Sequence, residues 1–516
     1  MAILIFQHFA PVILLSMSMD QVKTFGPRGG VSDCLDADAT TISRYLDEGQ
    51  ITAVSLMSSV LDRIEQRNAI VNAIVSLRDR DALLAEAAEA DCLRQKGLRK
   101  GWLHGIPIAV KDLSNVAGIA TTNGGSPLSL DFVPDESDPF VQRLQDAGAI
   151  VIGKTNTPEN GLGSHTYNTK WGRTLNPYNR TLSAGGSSGG AAAAVASRML
   201  PVADGSDACG SLRNPAGWNN LYSIRPTAGL VDGSSCIDNS LDKNPLPYPI
   251  STPGVLARSI DDLGAFLETM VGDRRKFSSR DMNSIESASF RIGWLGDWCG
   301  SYPVEDGILS LCQSALETFR DSCEASITIE AIEQELFPAD RIWASLTAIR
   351  SAMVADEQLS CHGTDAILGS TALVRPELQW EVRNGIEVSL ESSLTEAAKV
   401  AEDFSMCLEQ VFQQYDALAL PSAQMWPFPA EWNWPKEING VNMKTYHSWM
   451  QIMSPGSLAG VPCLTIPAGF SDNRRPMGIQ LLGKRGDDCA LLRLGKLYDD
   501  TTGWPRLQLP SFPNKS

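Results

Sequence analysis

Apolar positions along the chain fall into two rhythms. Val54, Met57, Leu61 and Ile64 recur at helical spacing, and Asp81 to Lys96 is an Ala/Glu-rich run suited to the same form. Thr40 and Thr41 precede another short helical stretch. Between these lie compact apolar runs. Asn72 to Leu77 is one, and Gly105-Ile106-Pro107-Ile108-Ala109-Val110 is another, closing on Lys111 and Asp112. The latter predicts a buried strand that delivers Lys111 to its end. Phe140 to Ala147 reads as a helix and Ala149 to Gly153 as a second buried strand, while the Gly- and Asn-rich Lys154 to Ser183 reads as a loop. Gly185 to Met199 opens on glycines and serines and continues as Ala191 to Ala196, a loop feeding a helix. Val202-Ala203-Asp204-Gly205 then leads from apolar into polar sequence at Ser206 to Pro215. Farther on, Arg291 to Leu295, Ala417 to Leu420 and Cys463 to Ile466 read as strands. Leu390, Leu394, Ala397, Ala401, Phe404, Leu408 and Phe412 mark one face of a long helix. Strands alternating with helices predict an α/β fold around a mixed, largely buried sheet.

Composition narrows the partners. The 516 residues, 43% hydrophobic and 20% charged, are long enough and apolar enough for a sizeable core. A net charge of −17 argues against a surface for nucleic acid or anionic lipid, and suits a large soluble enzyme. Eleven cysteines are scattered from Cys34 to Cys489 without a C-x-x-C pair or zinc spacing, so they read as reduced thiols of a cytoplasmic protein. The start disputes that compartment. Met1 to Leu15 is almost wholly apolar and Ser16-Met17-Ser18 has signal-peptidase spacing, which leaves a secretory signal as the alternative. Against it, the segment has no Lys or Arg, is interrupted by Gln7, His8 and Pro11, and is too short to span a bilayer. The pattern settles only from about Asp38, and the polar Asp273 to Ser289 could link a second lobe.

Three polar groups lie where a bend of the chain could expose them. They are Lys111 at a strand end, Ser187 in Gly185-Gly186-Ser187-Ser188-Gly189-Gly190, and Ser211 in Asp207-Ala208-Cys209-Gly210-Ser211-Leu212-Arg213. Taken singly each is weak, since a lysine after a strand is usually a solvated charge and a Gly/Ser turn is usually a flexible loop or an anion cradle. The Gly/Ser turn lacks the Lys-Ser/Thr of a phosphate-binding loop, and no strand is followed by G-x-G-x-x-G.

The combination is specific. Gly185 to Ala216 resembles the defining segment of the amidase signature family almost position by position. His104 to Asp112 resembles that family's lysine motif, Thr155 to Glu159 its following loop, and Gly460 to Gly483 its C-terminal segment. The resemblance runs from about Ala39 to Leu497. It implies a single large α/β/α domain with a mixed twisted sheet. On that basis 38–505 is expected to be the catalytic domain, with 273–412 a variable helical portion. Residues 1–37 stay poorly defined and 506–516 form a tail.

The resemblance also implies roles. Ser211 lies 24 residues after Ser187, the separation the family keeps between nucleophile and bridging serine. Ser211 thus resembles the nucleophile, Ser187 the bridging serine held on a cis peptide bond after glycine, and Lys111 the general base. A serine hydroxyl needs a base in hydrogen-bond reach, and with only five histidines no Ser-His-Asp set is legible. Lysine can serve if burial beside Ile108 and Val110 lowers its pKa from about 10.4 toward neutrality. Backbone N–H groups of Ala208, Cys209, Gly210 and Ser211 resemble the oxyanion hole, and Ser188, Asp207 and Arg213 support the loops. The family implies no metal and no organic cofactor. Its partner is a small-molecule amide, and whether the chain forms a homo-oligomer stays open.

One departure stands out: Cys209-Gly210 replaces the family's usual pair of glycines, so Cys209 is an alternative nucleophile to be tested against Ser211. Trp426, Trp432, Trp434 and Trp449 read as ordinary packing or as an aromatic pocket, and His165 is undecided. Carboxamide hydrolysis through an acyl-enzyme is the expected reaction. The alternatives are the amidase subunit of a tRNA-dependent amidotransferase, or an inactive binding homologue that a serine-directed fluorophosphonate would fail to label.

Overall fold

The computed structural model describes residues 31–233, 244–272, 277, 289–390 and 393–513. The apolar Met1 to Leu15 start and all but Phe277 and Ser289 of the Asp273 to Ser289 stretch lie outside the described residues.

Ile74–Val75 (β1), Pro107–Lys111 (β2) and Ile150–Thr155 (β3) form a three-stranded sheet in the order β1-β3-β2, with β2 parallel to β3. A small hairpin follows, Tyr167–Asn168 (β4) with Gly172–Arg173 (β5). Next come Val202–Asp207 (β6), Tyr222–Arg225 (β7), Thr252–Ala257 (β8), Ser289–Trp294 (β9), Ser326–Ala331 (β10) and Ala417–Pro421 (β11). A second hairpin, Glu437–Ile438 (β12) with Val441–Asn442 (β13), precedes Cys463–Phe470 (β14) and Pro476–Gly483 (β15). The main sheet has eight strands in the order β10-β9-β11-β15-β14-β7-β8-β6, parallel at β10/β9/β11 and antiparallel elsewhere. Helices surround it, so β6, β7, β8, β11 and β15 are buried along their whole length. Among the described residues no helix is long and apolar enough to cross a membrane.

The expected mixed sheet covered by helices is present, and β1, β3 and β2 form a smaller sheet beside it. β2 and β6, each the terminal strand of its own sheet, lie beside each other, and the Lys111 N–H is taken by the Asp204 carboxylate at 3.2 and 3.3 Å instead of by a strand carbonyl. A side chain bridges the two sheets at the point where Lys111 leaves β2.

Helix Ala53–Val71 buries Met57, Leu61 and Ile64 as the spacing predicts. Helix Gly189–Ala196 is buried on every side, and a Cβ at Gly190 would lie 2.3 Å from Asn156 N, so glycine is what lets this helix lie against the loop after β3. The helix expected from Leu390 to Phe412 is instead Ser393–Val411. Leu390 ends a preceding helix, Pro376–Leu390, and Ser393 sends its hydroxyl back to Val388 O at 2.9 Å, as serines do where helices start and stop. The loop expected from Lys154 begins two residues late. Lys154 and Thr155 belong to β3, because Lys154 is buried and its ammonium bonds Thr121 Oγ1 at 3.1 Å and Ser114 O.

Candidate active site

Lys111 closes β2 with no exposed surface, and its Nζ sits among oxygens: Ser187 Oγ at 2.8 Å, Ser188 Oγ at 2.9 Å, Ser206 Oγ at 3.0 Å and Ser206 O at 3.3 Å. Burial pulls its ammonium down to about 7, against the charges of Asp204 and then Asp207. Either protonation state is satisfied here. An ammonium donates to three hydroxyls. A neutral amine has two hydrogens and one lone pair. Ser188 already donates to Ser206 O at 3.3 Å, so it accepts from the amine, and the lone pair is left to accept the Ser187 hydroxyl.

Ser187 follows a cis peptide bond from Gly186, as the resemblance implies. Asn214 Oδ1 accepts the Gly186 N–H at 3.3 Å, and Thr166 Oγ1 bonds both Ser187 O at 3.4 Å and Gly189 N at 3.2 Å. The Ser188 N–H donates to Ser211 O at 3.1 Å, which ties the Gly/Ser turn to the segment after β6. Exposure rises from 0% at Lys111 to 2% at Ser187 and 7% at Ser211, so an incoming molecule meets Ser211 first.

Ser211 lies on the bend after β6. Asp207, the last residue of that strand, accepts the N–H of Gly210 at 2.7 Å, Leu212 at 3.1 Å and Arg213 at 3.4 Å. Burial alone would raise the Asp207 carboxyl, but the Arg213 guanidinium, with Arg225 behind it, holds it well below the usual carboxylate range. Arg213 goes on to Met453 O, Gln480 Oε1 and Ser457 Oγ at 2.9, 2.8 and 2.7 Å, joining the bend to β15 and to helix Ser454–Leu458. Asp207 and Arg213 thus tie the bend to its surroundings. Gly210 has φ +93° and a Cβ there would meet Met453 Cγ at 2.4 Å, so both conformation and space require glycine. The Gly210 N–H, one of the four backbone groups expected to resemble an oxyanion hole, is already taken by a carboxylate.

The Cys209 side chain is buried, and burial pushes its thiol up to about 11, opposite to what a thiolate nucleophile needs. His165 is a structural histidine: its Nε2 bonds Ala430 O at 3.1 Å, its Nδ1 bonds Ser183 Oγ at 2.7 Å, and burial lowers it to about 3, so it stays neutral. The tryptophans divide. Trp426 is core, with its indole N–H on Asp306 O; Trp432 is half exposed and stacks on Phe428. Trp434 and Trp449 line a small cavity with Leu162, Ser164, Tyr446 and Arg375, next to the Gly161 backbone that borders Ser187. A cleft of about 980 Å³ between Pro245–Tyr248 and the helix Ser393–Val411 holds none of Lys111, Ser187 or Ser211.

The sequence reading missed Ser206, Asp204, Thr166 and Asn214. Asp204 and Ser206 carried a signal: two polar side chains at alternate positions of a buried strand share one face, and that face meets Lys111.

A sequence model of the family described as Amidase matches residues 55–492. The chain is 32% identical to a glutamyl-tRNA(Gln) amidotransferase subunit of Chloroflexus aurantiacus (strain ATCC 29366 / DSM 635 / J-10-fl), over 91% of this chain and 98% of that protein. It is 27% identical to an acylamidase of Rhodococcus erythropolis, over 90% and 95%. Its structure is similar to that of a bacterial aryl acylamidase of the amidase signature enzymes, with a TM-score of 0.80 and 26% identity, covering 92% of this chain and 99% of that one.

Proposed function

The chain belongs to the amidase signature family and is a hydrolase of amide C–N bonds; from this premise we propose that it cleaves a carboxamide to a carboxylate and ammonia or an amine through an acyl-enzyme on Ser211. The observation that carries this reading is the completely buried Lys111 amine, 2.8 Å from Ser187 Oγ. Ser211 Oγ attacks the amide carbonyl while its proton passes to Ser187 and the Ser187 proton passes to the Lys111 lone pair. The carbonyl oxygen becomes an oxyanion facing the N–H groups of Ala208, Cys209 and Ser211, each such donor being worth roughly a hundredfold to a thousandfold in rate. The proton then returns from Lys111 through Ser187 to the departing nitrogen, and the C–N bond breaks. Water, deprotonated by the same relay, releases the carboxylate and restores Ser211.

Trp434, Trp449 and Tyr446, with Arg375 and Glu377, line a cavity of about 10 Å³ beside the loop that borders Ser187; that is room for about one water, so these side chains buttress the loop instead of forming an acyl pocket. Reduced, buried thiols at Cys209, Cys312 and Cys463 suit a cytoplasmic enzyme.

A second reading rests on the named relative: an amidase subunit that delivers ammonia within a tRNA-dependent amidotransferase. The same residues would serve both. Ammonia release from aliphatic, aryl and amino-acid amides by the purified chain decides between them. Turnover of a primary amide without a partner supports the free amidase; turnover of glutamine only with a partner protein supports the second reading. Full activity in Ser211→Ala would overturn both.

A further inference from the structure

Resting on the reading of Lys111 as base, we propose that Asp204 is a positioning residue for it, a buried carboxylate that fixes the end of β2 and sets how tightly Lys111 holds its proton.

Asp204 is 2% exposed on β6 and brings both oxygens to the Lys111 N–H, at 3.2 and 3.3 Å. A hydroxyl or a carboxamide would satisfy that single N–H without the cost of burying a charge, so the hydrogen bond does not explain the choice of a carboxylate. The charges around it do. Lys111 on β2 and Lys154 on β3 are both fully buried and both act on Asp204, Lys154 being shared with the buried Asp112 that follows Lys111. The other neighbours of β6 add little: β8 and helix Gly189–Ala196 carry no ionisable side chain. In helix Ile260–Val271, Asp262 is turned to Ala39 and Thr40, and Asp261 to Lys496.

The second carboxylate near Lys111 is Asp207, which is already spent on Arg213 and Arg225. Asp204 is therefore the carboxylate whose charge is most available to the base. Burial pushes its own carboxyl up to about 6, while the Lys111 N–H bond and the charges of Lys154 and Lys111 favour its ionised form. Burial alone would take a lysine lower still and leave a base too weak to strip a serine hydroxyl. A neighbouring carboxylate restores basicity while keeping the titration near neutrality.

The test needs no knowledge of the natural substrate. The second-order rate of inactivation by a fluorophosphonate at Ser211 is measured against pH for wild type, Asp204→Asn, Asp204→Ser and Asp204→Glu. Both neutral variants are expected to move the acid limb down by about 0.5 to 1 pH unit and to slow the plateau several-fold, while Asp204→Glu keeps the wild-type limb. One limb shared by all folded variants overturns the proposal, and so does failure of both neutral variants to fold, which would make the carboxylate a structural need only. Lys111→Ala is run beside them. If it keeps the wild-type limb, or if wild type is not labelled at Ser211, the reading of the base fails instead.

Discussion

Arg213 grips Asp207 with two prongs, Nε to Oδ2 at 3.0 Å and Nη2 to Oδ1 at 2.9 Å, where neither side chain touches water. The same carboxylate fixes the N–H groups of Gly210 and Leu212 on either side of Ser211. Arg213→Met leaves Asp207 charged and buried with only Arg225, 3.8 Å away, to balance it. The expected cost is about 3 to 5 kcal/mol of folding stability. Arg213→Lys restores the charge without the planar fork and should recover only part of that. Urea midpoints at equal m-value give the comparison.

Removing members of the proposed relay should have the opposite signature. Lys111→Ala and Ser211→Ala are expected to lower kcat/KM by at least about a thousandfold. Lys111 sits among serine oxygens and titrates near 7, so at pH 8 Lys111→Met removes a group that is mostly neutral already, and its melting temperature there should stay within a few degrees of wild type while activity is lost. A variant set in which activity and stability fall together would make Lys111 a structural residue.

The acid limb of catalysis follows from the same lysine. Its base form is the neutral amine, burial brings its titration to about 7, and protonation below that point removes the base. For wild type, kcat/KM should therefore fall about tenfold per pH unit on the acid side and level off above neutrality. An acid limb near 4, in the range of an ordinary carboxylate, would point to a different base.

How far the sequence discloses this site depends on how each residue is held. Lys111, Ser187 and Ser211 stand in local motifs, and the strand Pro107–Lys111 is a compact apolar run that ends where it reads as ending. Strands β7, β8, β10 and β15 are not legible, because their burial comes from partners far along the chain: β15 pairs with β11 and β14, and β8 with β6 and β7. Thr166 escaped for a related reason. It is an ordinary polar residue whose mark is a contact made after folding, with Ser187 O. Gly210 shows the other limit, since sequence gives the glycine but not the Met453 side chain that demands it.

That contact yields a paired prediction. Gly210→Ala places a Cβ 2.4 Å from Met453 Cγ and forces an L side chain to φ +93°. Activity should fall by about a hundredfold or more as the bend carrying Ser211 shifts. Met453→Ala in the same chain opens the space but leaves the backbone conformation unfavourable, so it should rescue only part of the loss. Full rescue would assign the whole effect to the clash, and no rescue would assign it to the backbone; kcat/KM for the two single variants and the double variant separates the two causes.

Cys209 is where the two candidate nucleophiles part. Its thiol is buried and pushed up to about 11, so at pH 8 almost none of it is thiolate, and alkylation by iodoacetamide should be slow in the folded protein. Its backbone N–H, by contrast, is one of the three proposed to face the oxyanion, and that group survives any change of side chain. Cys209→Ser and Cys209→Ala should accordingly keep kcat within about tenfold of wild type, with any larger change confined to KM for bulky acyl groups. Mass spectrometry of a trapped acyl-enzyme supplies the direct check: the acyl mass should sit on the peptide as an ester of Ser211, and should form in both Cys209 variants as it does in wild type. An adduct that disappears with the thiol would transfer the chemistry from Ser211 to Cys209 and leave the Lys111–Ser187 contact without a catalytic purpose.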